Sequence, residues 1–123
     1  MNVIEALQKA LGEDSVLTGA AVQERQAGIW RRDTIQARAI IRPRDTRQVS
    51  VALQVCHAYG QPVVPHGGLT GLVHSADTTP DDVALSLERL NRIEAVDAAD
   101  RTMIVQSGVV LQRIQEAAEA EGL

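Results

Sequence analysis

The chain has 123 residues, a formal net charge of −4 at pH 7 and a sequence pI of about 5.3. This acidic balance argues against binding to nucleic acid or to an anionic membrane through a basic surface. Hydrophobic residues make up 45% of the chain and aromatic residues only 2%. We therefore expect one globular domain with an aliphatic core, without the aromatic platforms that bind single-stranded nucleic acid.

The N-terminal segment and the single cysteine bear on the compartment. Glu5 and Lys9 interrupt the apolar positions at the N-terminus, so no signal peptide is predicted. No window approaches the roughly 20 apolar residues of a spanning helix, and we expect a cytoplasmic protein without membrane insertion. Cys56 can form no internal disulfide and lies in a predicted helix, where a buried, inert thiol is expected.

The first third of the chain contains one clear helix and one clear strand. An apolar stripe predicts a helix over residues 2–11, and Gly12 ends it. Residues 13–33 are predicted to be mostly loop with one helical turn. Residues 36–42 are predicted to form a buried strand, which stops before Pro43.

A second helix is predicted to begin at Asp45 or Thr46 and to end at Gly60. Asp45 and Gln48 have the spacing of a capping box. The strand at 62–65 follows after a short connection, so it is predicted to run parallel to strand 36–42. The inner face of this helix is predicted to consist of Val49, Ala52, Leu53, Cys56 and Tyr59.

The remaining elements complete the fold class. Residues 83–87 are predicted to form a third strand, and residues 93–96 and 102–106 a pair of strands. A last helix precedes Gly122, and its apolar face comprises Val110, Leu111, Ile114, Ala117 and Ala118. The pattern predicts an α+β fold, close to α/β in character, with a small, mostly parallel sheet and flanking helices.

The most informative segment is the glycine-rich loop, which reads Pro65-His66-Gly67-Gly68-Leu69-Thr70-Gly71-Leu72. Glycine leaves no Cβ between backbone and ligand, and it reaches positive φ without steric cost. Successive backbone N–H groups in such a loop can form an anion-binding concavity. The loop lacks the lysine of a Walker sequence, and its glycine spacing is not that of a Rossmann fingerprint. The segment thus favours backbone binding of an anion such as a pyrophosphate.

Four blocks of sequence carry a resemblance to a known family. They are Arg42–Val49, Pro62–Val73, Val83–Ile93 and Asp97–Val109, and their order and spacing agree with that family over residues 36–123. They resemble the flavin-binding domain of the vanillyl-alcohol-oxidase (PCMH) type. The chain is more closely similar to bacterial FAD-linked oxidases and D-2-hydroxyacid dehydrogenases, a group that includes the glycolate oxidase D subunit.

The resemblance implies FAD as the cofactor, with its pyrophosphate on the glycine-rich loop and a hydrogen bond from Thr70. Leu69 stands where covalently flavinylated relatives carry histidine, so the implied flavin is non-covalent. His66 stands where many relatives have Arg or Gln, and His74 and Ser75 where relatives often have Gly-Gly. The implied cofactor-binding residues are Pro65, His66, Gly67, Gly68, Leu69, Thr70, Gly71, Leu72, Ser107, Gly108 and Val109.

The resemblance also implies what surrounds the chain. Residues 1–123 would be the N-terminal part of the FAD-binding domain, its first subdomain, without the second FAD subdomain or the substrate cap. The parent would oxidise a small D-2-hydroxy acid (glycolate, D-lactate or D-2-hydroxyglutarate) by hydride transfer to FAD. No catalytic residue is expected within the chain, and the 123 residues alone are not expected to retain FAD.

One alternative function stays open. The chain could be a truncated or degenerate flavin-fold module that serves as a subunit or interaction domain without catalysis. An exposed sheet and an unfinished cofactor surface lead us to expect that copies of the chain associate. No metal site is predicted, because His57, His66 and His74 have no carboxylate at ligand spacing except Asp77.

Overall fold

A computed structural model describes all residues from 1 to 123 as a mixed α+β fold of four α-helices and six strands. A single 3₁₀ turn, Glu13–Ser15, follows the first helix. The helices are α1 (Val3–Leu11), α2 (Ala20–Gln23), α3 (Thr46–Ala58) and α4 (Leu111–Ala120). The strands are β1 (Val16–Leu17), β2 (Ala39–Ile41), β3 (Val63–His66), β4 (Val83–Ser86), β5 (Ile93–Asp97) and β6 (Thr102–Val105).

The main sheet has the strand order β1-β2-β4-β3. β4 lies between β2 and β3 and pairs in parallel with both. The prediction that strands 36–42 and 62–65 run parallel is therefore confirmed. β1 adds an antiparallel edge strand beside β2. β5 and β6 form a separate antiparallel pair.

The two central strands, β2 and β4, are buried on both faces, which explains their continuous apolar runs, whereas the edge strand β3 is only partly buried. Ala39, Ile41, Val83 and Leu85 pack in one cluster with α1 and α3. The alternate residues, Ile40 and Ala84, belong to a second cluster with Val22 and Ile35. This division follows from the two-residue period of a strand, and it places the helices α1 and α3 on one side of the sheet.

The helix ends show which local signals were correctly interpreted. Asp45 caps α3, since its carboxylate accepts a hydrogen bond from the Gln48 N–H at 2.8 Å. The Gln48 side chain, however, accepts from the Arg44 N–H at 2.8 Å, so the reciprocal half of the predicted capping box is not formed. A complete capping box occurs at α1 between Asn2 and Glu5.

Several predicted details are corrected by the structure. The strand predicted over 36–42 is limited to Ala39–Ile41, and residues 13–33 contain the unpredicted short strand β1 besides the loop and the one helical turn that was predicted, α2. Leu53 and Tyr59 are exposed, so the inner face of α3 is narrower than predicted. Cys56 is buried as expected, and burial raises the pKa of its thiol.

The C-terminal third is less deeply packed. α4 contacts β5 and contains no fully buried residue. Ile104, Val110 and Leu111 are exposed apolar side chains in this part of the molecule. None of the helices has the length and apolar character needed to cross a membrane.

Candidate functional site

The glycine-rich loop leaves the sheet at the carboxyl end of β3. β2, β4 and β3 are parallel, so their carboxyl ends lie at one edge of the sheet. In open parallel sheets, ligands bind outside this edge. The loop therefore lies where the fold itself favours a binding site.

A cleft of about 320 Å³ lies beside this loop. One wall is formed by residues 27–31, which lie in the connection between β1 and β2. The opposite wall is formed by Pro65 and residues 67–72, and residues 74–77 complete the lining. The structure thus brings most of the predicted loop residues together, and it adds two segments that the sequence did not indicate.

The backbone of the loop is unusually rich in free donors. The N–H groups from Gly67 to Ala76 donate to no acceptor within the protein. Most of these residues are exposed, so their N–H groups remain available to a ligand. A run of unpaired backbone N–H groups at a strand end is typical of anion-binding concavities.

Of the two roles predicted for the loop glycines, positive φ and open space beside the backbone, the structure shows only the second. Gly67, Gly68 and Gly71 all lie outside the left-handed region of φ. A Cβ added at Gly67 or Gly71 would meet no atom within 4 Å, and one at Gly68 would reach only the Thr70 side chain at 3.9 Å. These glycines leave open space beside the backbone, which is the room that a ligand needs.

Within residues 65–72 the left-handed residue is Leu69, with φ 57°. Its side chain is partly buried and packs against the cluster of Val22, Ile35 and Ile40. This packing holds a conformation that costs a leucine roughly 1–2 kcal/mol. Leu69 therefore anchors the loop from within.

His66 has a structural position at the base of the loop. It is buried at the end of β3, and its Nε2–H donates to the Ala76 carbonyl oxygen at 2.8 Å. Burial lowers the pKa of the imidazole. His66 does not line the cleft, and its bond to Ala76 joins the two ends of the loop.

Arg31 connects the two sides of the cleft. Its guanidinium donates to Asp33 on its own segment, where the Arg31 Nε to Asp33 Oδ1 distance is 2.8 Å. It also donates to Asp77, which lies in residues 74–77, the segment that follows the glycine-rich loop and is called its far limb below. His74, at φ 60°, joins this group through Nδ1, which lies 3.1 Å from Asp77 Oδ2. The guanidinium holds the pKa of both carboxyl groups below the usual range. The positive charge of Arg31 is thus already balanced by Asp33 and Asp77.

Ser107, Gly108 and Val109 lie at the same sheet edge but do not line the cleft. The Gly108 N–H donates to the Leu90 carbonyl oxygen at 2.8 Å, and Leu90 in turn bonds Leu87 after β4. A Cβ at Gly108 would overlap the Leu87 carbonyl oxygen. Close approach of two backbones therefore explains this glycine without a ligand.

The residues that sequence reasoning missed are those of the opposite wall and the far limb. Residues 27–31 have no apolar periodicity, and their place depends on tertiary contacts of Arg31. The one signal in the sequence was the glycine at position 28. In the structure Gly28 is buried, and a Cβ there would lie 3.4 Å from the Leu69 carbonyl oxygen. The two walls meet at this point.

Comparison with known proteins assigns the family. The family described as FAD binding domain matches residues 37–123. The chain belongs to this FAD-binding domain family. The cofactor of the family is FAD, which agrees with the resemblance found in the sequence.

Two curated relatives illustrate the similarity. The chain is 36% identical over 121 residues to D-2-hydroxyglutarate dehydrogenase from Xanthomonas citri pv. viticola, which covers 98% of the chain and 26% of that protein. It is 33% identical over 85 residues to glycolate oxidase subunit GlcD from Bacillus subtilis, which covers 69% of the chain and 18% of that protein. The chain spans about a quarter or less of the length of these relatives.

Solved structures share the fold. p-Cresol methylhydroxylase with substrate bound matches with a TM-score of 0.78 at 18% identity, over 98% of the chain and 24% of that protein. 4-Ethylphenol oxidase from Gulosibacter chungangensis matches with a TM-score of 0.81 at 24% identity, over the same shares. The α+β arrangement described above is therefore that of PCMH-type domains.

The cleft fits one part of FAD. Its only charged lining residues besides His74 are Arg31 and Asp77, which neutralise each other. A diphosphate here would rely on the free N–H groups of the loop and on the Thr70 hydroxyl. Such neutral donors around an anion, at glycines without steric obstruction, match the chemistry of the group.

Proposed function

We propose that this chain forms the diphosphate-binding part of the FAD site in a flavin-dependent dehydrogenase of small D-2-hydroxy acids. The observation that carries the proposal is the run of unpaired N–H groups from Gly67 to Ala76 beside an open cleft. The relatives named D-2-hydroxyglutarate dehydrogenase and glycolate oxidase subunit support the substrate class.

In this proposal the chain's own residues bind and position. The loop amides and Thr70 hold the diphosphate, while Leu69 and His66 fix the loop from beneath. Arg31 keeps the far limb in place through Asp77. FAD, when bound, supplies the hydride acceptor. We assign no catalytic residue to residues 1–123, so the base that accepts the hydroxyl proton comes from another part of the enzyme.

The test uses the full-length protein encoded by the gene. We expect it to purify with flavin and to reduce a dye with at least one of D-2-hydroxyglutarate, D-lactate and glycolate. L-2-hydroxyglutarate and L-lactate serve as controls, and a Gly71→Val variant should lose flavin and turnover together. A flavin-containing protein that oxidises none of these acids would contradict the substrate class. A protein without flavin would contradict the proposed site.

A further inference from the structure

The most exposed aromatic side chain of the molecule lines the same cleft. Trp30 is the only tryptophan in the chain, and it is 78% exposed. Ile29 and Leu72 line the cleft with it and are 57% and 77% exposed. Together, Ile29, Trp30 and Leu72 form an apolar rim next to the polar backbone of the loop.

Contact of this apolar rim with water is unfavourable, and a ligand that covered the rim would remove this cost. Large apolar groups clustered at the surface commonly mark binding sites. Tryptophan in particular offers a broad, flat π-surface with few rotatable bonds. An apolar rim beside unpaired N–H groups complements a ligand in which a planar ring is joined to an anion.

The size of the cleft indicates how much of FAD it accommodates. Its volume of about 320 Å³ lies at the lower end of small-molecule sites, which range from about 300 to 1,000 Å³. FAD carries two planar rings, one on each side of its diphosphate. We therefore expect the diphosphate and one adjoining ring of FAD to lie in the cleft.

We propose that Trp30 stacks on one planar ring of FAD while the glycine-rich loop holds the diphosphate. This inference rests on the proposed function and extends it to residues 29–31. It names Trp30 as a cofactor-binding residue in the connection between β1 and β2. The adenine and the isoalloxazine ring share the stacking chemistry, and the experiment distinguishes them.

The test is an NMR titration of the ¹⁵N-labelled 123-residue chain with FAD, ADP or FMN. Trp30 gives the only indole N–H signal, which therefore needs no assignment. We expect FAD to shift this signal together with the loop amides. A shift with ADP assigns the adenine ring to Trp30, and a shift with FMN assigns the isoalloxazine ring.

Substitutions measure how much the stacking contributes to binding. Trp30→Ala should weaken FAD binding by about tenfold, whereas Trp30→Phe, which keeps a ring, should stay within about threefold of the wild type. Tyr59→Ala is the matched control. Tyr59 is the other exposed aromatic residue, but it precedes β3 and lies outside the cleft.

The outcomes separate this inference from the proposed function. If FAD shifts the loop amides but leaves the indole signal and the affinity of Trp30→Ala unchanged, the stacking proposal is wrong and the diphosphate site stands. If FAD shifts neither the loop nor the indole at millimolar concentration, both are wrong.

Discussion

Gly108 and the loop glycines look alike in sequence but differ in what surrounds them. The space beside Gly67 and Gly71 is open, whereas Gly108 lies against the backbone of residues 87–90. A family resemblance cannot separate these two uses, because both are conferred by the missing Cβ. The structure shows close backbone packing at Gly108 and open space at the loop glycines, and ligand binding at the loop stays a prediction.

Gly108→Ala is expected to destabilise the fold. The added methyl group would overlap the Leu87 carbonyl oxygen and lie 2.9 Å from that of Leu90, so the backbone must shift. Overpacking of this kind costs up to about 3 kcal/mol of unfolding free energy. Urea denaturation checks this, with Gly71→Ala as the control that should leave the midpoint unchanged. An unchanged midpoint in Gly108→Ala would contradict the assignment to packing.

His66 is expected to make stability depend on pH. Burial lowers its pKa below the ordinary value of about 6.5, so the unfolded chain takes up a proton more readily than the folded one. The unfolding free energy should therefore be level above about pH 6.5 and fall as the pH drops below it. Asp33 and Asp77, whose pKa values are lowered, contribute their loss only below about pH 4.

Chemical denaturation between about pH 7 and pH 5 measures this slope. His66→Gln can still donate to the Ala76 carbonyl but does not titrate, so it should remove the part of the slope due to His66. His57→Gln, at an exposed position of α3, is the matched control. A slope that His57→Gln removes and His66→Gln preserves would show that the buried imidazole is not responsible.

At the scale of elements, the cleft depends on one side chain that joins two segments. Arg31 links residues 27–33 to the far limb of the loop through Asp77. Exposed ion pairs contribute little to global stability, so the effect of Arg31 should be local. We infer that it restrains residues 74–77.

Asp77→Asn should increase the motion of this limb without unfolding the protein. The substitution weakens the bond to Arg31 and leaves Asp33 as the remaining carboxylate partner. Heteronuclear NOE values of the amides at residues 74–77 should fall, with the melting temperature nearly unchanged. Asp14→Asn, which weakens the exposed pair with Arg44, is the control. Unaltered NOE values in Asp77→Asn would refute the restraint.

The elements themselves follow closely from the sequence. The Asp45 cap and Gly60 end predict the bounds of α3, and the apolar runs predict β3 and β4, because local chemistry determines these features. The position of β4 between β2 and β3 depends on long-range pairing, which a pattern of short strands does not specify. β1 was missed because two residues are too few to show alternation.

The site was predicted only in part, because some of its residues are placed by contacts between distant parts of the chain. Glycine composition and the family blocks indicated the loop at residues 65–72, which lines the cleft apart from His66. The inward position of His66 depends on Ala76, ten residues along, and could not be inferred from neighbouring residues. Trp30 and Arg31 lie more than thirty residues before the loop in a segment without periodicity.

For the whole molecule, the exposed apolar residues of the C-terminal part bear on association. Ile104, Val110 and Leu111 leave hydrophobic area in contact with water. We predict that the chain self-associates at high concentration. Light scattering should report masses above 13.2 kDa that decrease in Leu111→Glu. A clean monomer at high concentration would contradict this expectation.

The central claim is that the amides of residues 67–76 bind the diphosphate of FAD. We expect weak binding by the 123 residues alone, lost on purification but visible when FAD is added in excess, because in the proposed function the chain supplies only part of the cofactor surface. Amide chemical shifts report weak binding residue by residue. Riboflavin, which has the flavin ring but no phosphate, is the matched ligand control.

The decisive measurement is a ¹H–¹⁵N titration of the chain with FAD. FAD should shift the amides of residues 67–76, riboflavin should leave them in place, and Gly71→Val should abolish the shifts while the fold is retained. Ala98→Val, which also introduces a β-branched valine but in an exposed turn away from the loop, should behave as wild type. Equal shifts in Gly71→Val and wild type, or shifts confined to residues outside the loop, would contradict the account.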